Sequence, residues 1–152
     1  MAHAMSDVEL LAFLTVEPKH TAKLATVRAD GRPHVAPIWF VVDASKAGVD
    51  SPIGDLVFTT GAETIKGKCL RRDPRVALCM DDERPPHSFV IIDGIATISE
   101  ELDDVGYWAT IIGGHYMGPE RAEEFGRRNG VPGELLVRVR PTNIVATVDL
   151  AD

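Results

Sequence analysis

The chain has 152 residues, a formal net charge of −7, and 45% hydrophobic against 26% charged residues. This length suits one domain with a real core, residues 1–152, and the acidic balance excludes general nucleic-acid binding, which needs a basic face. No apolar run is long enough to span a bilayer and no secretory leader pattern opens the chain, so a cytoplasmic protein is expected.

Met1 to Met5 reads as an added remnant or an alternative start and is expected to be disordered. Ser6 followed by Glu9 forms a capping-box pattern ahead of Leu10, Leu11 and Leu14, predicting a short amphipathic helix. Two apolar stretches, Ala22 to Val27 and Val35 to Val42, flank Ala29-Asp30-Gly31-Arg32, which predicts a hairpin. Pro37 interrupts the second stretch. It marks either a guarded edge strand or a place where something other than a strand, such as a flat ring, meets Pro37-Ile38-Trp39.

Leu56 to Thr60 predicts a third strand and Thr64 to Arg72 a helix, ended by Asp73-Pro74 because proline disfavours helix in the residue before it. From Thr64 to Arg75 the chain holds Lys66, Lys68, Arg71, Arg72 and Arg75 against Asp73 alone. On a helical wheel Lys66 falls beside the apolar arc. It is also in the first turn, where a cation is mildly unfavourable unless an anion is close. With Thr59 and Thr60 at the preceding strand end, hydroxyls, amides and an ammonium can converge on a phosphate. A solvated basic face is the alternative.

Arg75 to Met80 and Phe89 to Ile98 predict two further strands, separated by a polar, proline-bearing loop that carries His87. Leu102, Val105, Trp108, Ile111 and Ile112 recur at helical spacing, with Gly113 and Gly114 as the expected stop. Pro119 opens another helix, ending near Asn129-Gly130. Leu135 to Val139 and Ile144 to Asp149 complete a strand bent at Pro141. Six mainly antiparallel strands with peripheral helices predict a small β-barrel.

Cys69 and Cys79 are too few for a disulfide framework and lack zinc-site spacing, so both read as buried thiols and no metal site is expected. GxGxxG, Walker, HExxH and GxSxG patterns are absent. A bound cofactor is then the natural source of reactivity. His87 and Tyr116 are the candidate proton donors.

The order AKLATVRADGRPHVAPIWF, LVFTTGAETIKGKCLRRDPRVAL, SFVIIDGIATI and HYMG resembles the FMN-binding split β-barrel family of pyridoxamine 5′-phosphate oxidase-like proteins. Within it, the chain is most similar to the actinobacterial branch that uses the deazaflavin coenzyme F420. The resemblance implies a homodimer with a cofactor between the subunits and a small-molecule substrate. Pro37, Ile38 and Trp39 would meet the ring, and Thr59, Thr60, Thr64, Lys66 and Lys68 the phosphate. His87 and Ser88 would reach in from the other subunit. Lys68, Arg71 and Arg72 favour F420, with its several tail carboxylates, over the alternative cofactor FMN. The implied activity is hydride transfer from reduced deazaflavin to an unsaturated organic substrate. An FMN-binding oxidoreductase or a non-catalytic cofactor or haem carrier is the rival reading. The arginine and histidine pair of the true oxidases has no counterpart in Pro141 to Asp149, so pyridoxamine phosphate oxidation is not expected.

Overall fold

In a computed structural model, every residue except Val49 is described. Eight strands form one antiparallel sheet: β1 (His3–Ala4), β2 (Ala22–Val27), β3 (Pro33–Ile38), β4 (Val41–Asp43), β5 (Asp55–Gly61), β6 (Arg75–Asp82), β7 (Ser88–Ser99) and β8 (Glu134–Val148). Four α-helices accompany them: α1 (Asp7–Thr15), α2 (Ile65–Arg72), α3 (Leu102–Met117) and α4 (Ala122–Asn129). No described helix is long and apolar enough to cross a membrane.

The strand order is β3-β2-β6-β7-β8-β5-β4, with β1 on β8. Because β3 and β4 are consecutive in the chain, the two ends of this path meet at Trp39 and Phe40, and the sheet curls into a split barrel. Period-2 alternation turns Leu24, Leu78, Ile92, Val137, Leu56 and Phe58 into its interior, all at most 1% exposed. Helix α1 adds Leu10 and Leu14 to this core. Its start is the expected capping box: the Ser6 hydroxyl accepts from the Glu9 amide and the Glu9 carboxylate accepts from the Ser6 amide.

Helix α3 covers the outer face. Val105 and Ile112 pack there on Val41, Val57 and Leu136, forming a second, smaller core.

Four expectations need correction. The strand count is eight, not six. Val35 to Val42 is two strands, because the chain leaves the sheet at Trp39-Phe40 and rejoins its opposite end, and the opening residues contribute β1 instead of being disordered: His3 and Ala4 pair with Val148 and Thr147. Helix α3 does not stop at Gly113-Gly114. Those glycines give α4 close access, for a Cβ on Gly113 would lie 2.4 Å from Cβ of Phe125. The expected bend at Pro141 is present, as a bulge within one strand: Asp93 pairs with Asn143 and Gly94 with Pro141, which leaves Thr142 as the extra residue.

Candidate functional site

Strand β5 ends at Gly61, a short turn follows, and α2 begins. The Thr64 side chain caps this helix by accepting from the Gly67 amide at 3.0 Å, while its own hydroxyl donates to the Gly61 carbonyl at 2.8 Å. Gly67 is required here, since a Cβ would fall 2.2 Å from the Gly61 carbonyl oxygen. The turn therefore folds tightly against the strand end. Helix geometry leaves the amides of Ile65 and Lys66 without intrahelical acceptors.

These groups form one end of a pocket of about 420 Å³. Its polar end holds Thr59, Thr60, Thr64 and Lys66, and the other end is built from Pro37, Ile38, Trp39, Ile112, Gly113 and Phe125. Trp39 stacks on Tyr116 and meets Phe125 edge-on, with centroids 5.6 Å apart. An aromatic and aliphatic slot thus opens onto a cationic, hydroxyl-rich end.

Lys66 has no carboxylate within 4.0 Å among the described residues. The other cations of the helix are engaged, Lys68 with Glu63 at 3.7 Å, Arg71 with Glu100 at 2.6 Å, and Arg72 with the Val27 carbonyl. Glu134, the first residue of β8, also lines the pocket unpaired. Burial pushes its carboxyl above the usual range, with Lys66 pulling the other way.

Seven of the sequence-predicted residues therefore share one cavity: Pro37, Ile38, Trp39, Thr59, Thr60, Thr64 and Lys66. Lys68 and Arg71 lie further along α2, on its exposed side. His87 and Ser88 are not brought to the pocket by their own chain. His87 sits in a turn with its amide on the Arg84 carbonyl, and the Ser88 hydroxyl accepts from the Asp149 amide.

Tyr116 is placed differently from a proton donor to this cavity. Its hydroxyl accepts from the Phe40 amide at 3.2 Å and directs its proton to the carbonyls of His20 at 2.8 Å and Phe40 at 3.1 Å. Burial pushes it up to about 12. It pins the corner between β3 and β4 and backs Trp39.

Sequence reading missed Thr21, Phe125, Asn129 and Glu134 as wall residues. Phe125 had a signal, as the apolar residue of a helix otherwise rich in Glu and Arg. Glu134 had none, because only the β5–β8 register, which pairs it with Gly61, brings it to the helix start.

The pyridoxamine 5′-phosphate oxidase family model matches residues 8–148. The chain belongs to that family, whose flavin-binding barrel this sheet reproduces. No curated protein matches it. Among solved structures it is similar to the conserved hypothetical protein Rv2991 from Mycobacterium tuberculosis, with 26% identity and a TM-score of 0.76 over 95% of this chain and 86% of that one. It is also similar to an F420 reductase, at 23% identity and a TM-score of 0.64 over 90% and 94% of the two chains. The haem storage protein HutZ from Vibrio cholerae shares the fold at 20% identity and a TM-score of 0.60, over 83% and 85%.

Proposed function

We propose that this chain is an oxidoreductase that binds coenzyme F420 in the pocket between Trp39 and Lys66 and transfers hydride from it to an unsaturated organic substrate. The observation that carries the reading is Lys66, a cation left unpaired at a helix start that already favours an anion. Next to it, at the Trp39 and Phe125 end, is a slot suited to a flat ring. Bound F420 supplies a two-electron hydride donor with little one-electron or oxygen chemistry.

The chain's own residues do the binding and positioning. Lys66, Thr59, Thr60 and the free amides at the start of α2 hold the phosphate. Pro37, Ile38 and Trp39 present backbone and an apolar face to the ring, and Ile112 with Phe125 keeps water from its far side. Lys68 and Arg71 continue from Lys66 toward solvent and suit a tail with several carboxylates. Their ion pairs are exposed and worth roughly 0–1 kcal/mol each, so such a tail competes for them at little cost. The likeness to an F420 reductase supports the same choice over FMN.

A homodimer completes the reading. Ile91 and Val145 are direct cross-strand partners on the outer sheet face, 40% and 48% exposed, and Val35 is 66% exposed. A second copy covering this face would bring its His87 and Ser88 toward the cofactor. The lining of the pocket supplies no histidine, cysteine or methionine among the described residues, which favours a flavin-type ring over haem. The test is titration of the purified protein with F420, FMN and haem, read by absorbance and fluorescence. Preferential binding of F420, followed by substrate-dependent oxidation of its reduced form, is the expected result. Haem binding alone would overturn the reading.

A further inference from the structure

Of the residues that line the pocket, Lys66 and Glu134 are the two that carry charge. Strand β5 offers Thr59, Thr60 and Gly61, α3 offers Ala109, Ile112 and Gly113, and α4 offers Phe125 and Asn129, all uncharged. Glu63, in the turn before α2, is exposed and paired with Lys68. The register that pairs Glu134 with Gly61 carries its carboxyl to the helix start: a Cβ on Gly61 would stand 3.8 Å from Glu134 Oε1 and 3.3 Å from the Thr64 methyl. It accepts no hydrogen bond and makes no ion pair there, although it is only half exposed to water.

This is an unusual neighbour for an anion site. An ionised Glu134 cancels the charge of Lys66 across the pocket, and an anion entering between them meets a wall of zero net charge. A neutral Glu134 leaves the wall at +1. The free energy of any anion in the pocket therefore depends on whether this carboxyl holds a proton.

We propose that Glu134 is a charge-selecting residue of the pocket, so that an anionic cofactor binds together with one proton, which Glu134 takes up. The proposal rests on the reading of this pocket as the cofactor's phosphate site. Burial already holds the carboxyl above its ordinary range in the free protein, and an arriving phosphate raises it further. The sign follows: affinity is greatest at low pH, falls as pH rises through the range where free Glu134 ionises, and levels off once Glu134 is ionised in the complex as well. Neutral Gln at this position is isosteric and fixes the wall at +1.

Fluorescence titration with F420 from pH 4.5 to 8.5 at constant ionic strength, wild type and Glu134→Gln side by side, tests this: the ring hydroxyl of F420 titrates alike with both proteins, so the difference between the two profiles reports Glu134. Relative to the variant, the wild-type Kd is expected to rise roughly tenfold as Glu134 ionises, the scale of one unit charge acting at a few ångströms through a partly wet site. Glu134→Gln should lack that rise and bind more tightly than wild type at pH 8.5. Calorimetry in two buffers of different ionisation enthalpy should register proton uptake by the wild-type protein, beyond that of Glu134→Gln, over the range in which its affinity falls. Parallel profiles, absence of proton uptake, or weaker binding by Glu134→Gln at every pH would each overturn the proposal and leave the pocket reading standing. Failure of both proteins to bind F420 or FMN at any pH would overturn the two together.

Discussion

The indole of Trp39 lies flat on the phenol of Tyr116, with ring centroids 5.1 Å apart and planes 10° off parallel. The stack joins the corner that closes the barrel to the wall of the pocket, and the Tyr116 hydroxyl ties it to three main-chain groups of Phe40 and His20. Replacing Tyr116 by Phe keeps the stack and strands those groups, at a cost of about 1–3 kcal/mol. Denaturant titration should show that loss. The ring pocket should loosen too, so cofactor affinity falls while the pH dependence of turnover is unchanged. A lost acidic or basic limb in the pH profile would return Tyr116 to a proton-donor role.

Lys66→Ala removes a charge-assisted hydrogen bond to the bound anion, worth about 1.5–3 kcal/mol. Cofactor affinity is expected to fall roughly ten- to a hundredfold. The free protein should melt at the same temperature or slightly higher, because a cation leaves the positive end of a helix. High salt should shrink the difference. A destabilised free protein with unaltered affinity would mean that Lys66 is structural.

Gly113→Ala tests the packing of the far wall. The added methyl would sit 2.4 Å from Cβ of Phe125, so α4 must move or Phe125 must leave its position. Overpacking of this kind costs typically about 1–3 kcal/mol. The loss should appear in chemical denaturation, and Trp39 fluorescence should shift because Phe125 packs against its edge.

Arg138 reaches Asp43 at 2.9 Å and Asp55 at 3.5 Å while lying over Trp108. Burial pushes the Asp43 carboxyl up, but hydrogen bonds from Ser45 and Arg138 outweigh it and hold the group below its ordinary value. Arg138→Met preserves the stem packing and removes the partner of a carboxylate only 9% exposed. Breaking a buried pair costs about 3–5 kcal/mol, and the partial exposure of Arg138 places this one at the low end. The contribution of a depressed carboxylate is complete above its unfolded value near pH 4 and is lost as pH falls through its folded value. The deficit of the variant should therefore be full at pH 7 and shrink below about pH 4, as followed by urea melts across that range.

Much of the barrel could be read from the sequence because alternation and turn chemistry are local signals. The hairpin through Asp30-Gly31, the capped helix from Ser6 and the strands around Leu78 and Ile92 all declare themselves within a few residues. The same holds for Pro37 to Trp39 and for Thr59 to Lys66, each a contiguous segment with an anomaly in it. What could not be read depends on partners far away in the chain. Val35 to Val42 looks like one strand, since nothing local records that Phe40 will be held by Tyr116, 76 residues on. Gly113 looks like a helix stop until Phe125 is set against it. Glu134 joins the pocket only through strand register, which depends on the whole sheet.

The closure at Trp39-Phe40 also bears on how the molecule behaves when crowded. An open sheet offers its outermost strands as templates for chain-to-chain strand addition, a common start of aggregation. Here those strands are β3 and β4, joined through the Trp39-Phe40 corner, with β1 beside β8. Pro33 and Pro37 deny β3 two main-chain donors, and β4 has only three residues to offer. With β1 only two residues long as well, little edge is left for strand addition, so copies that associate are expected to do so through the faces of the sheet and not by extending it.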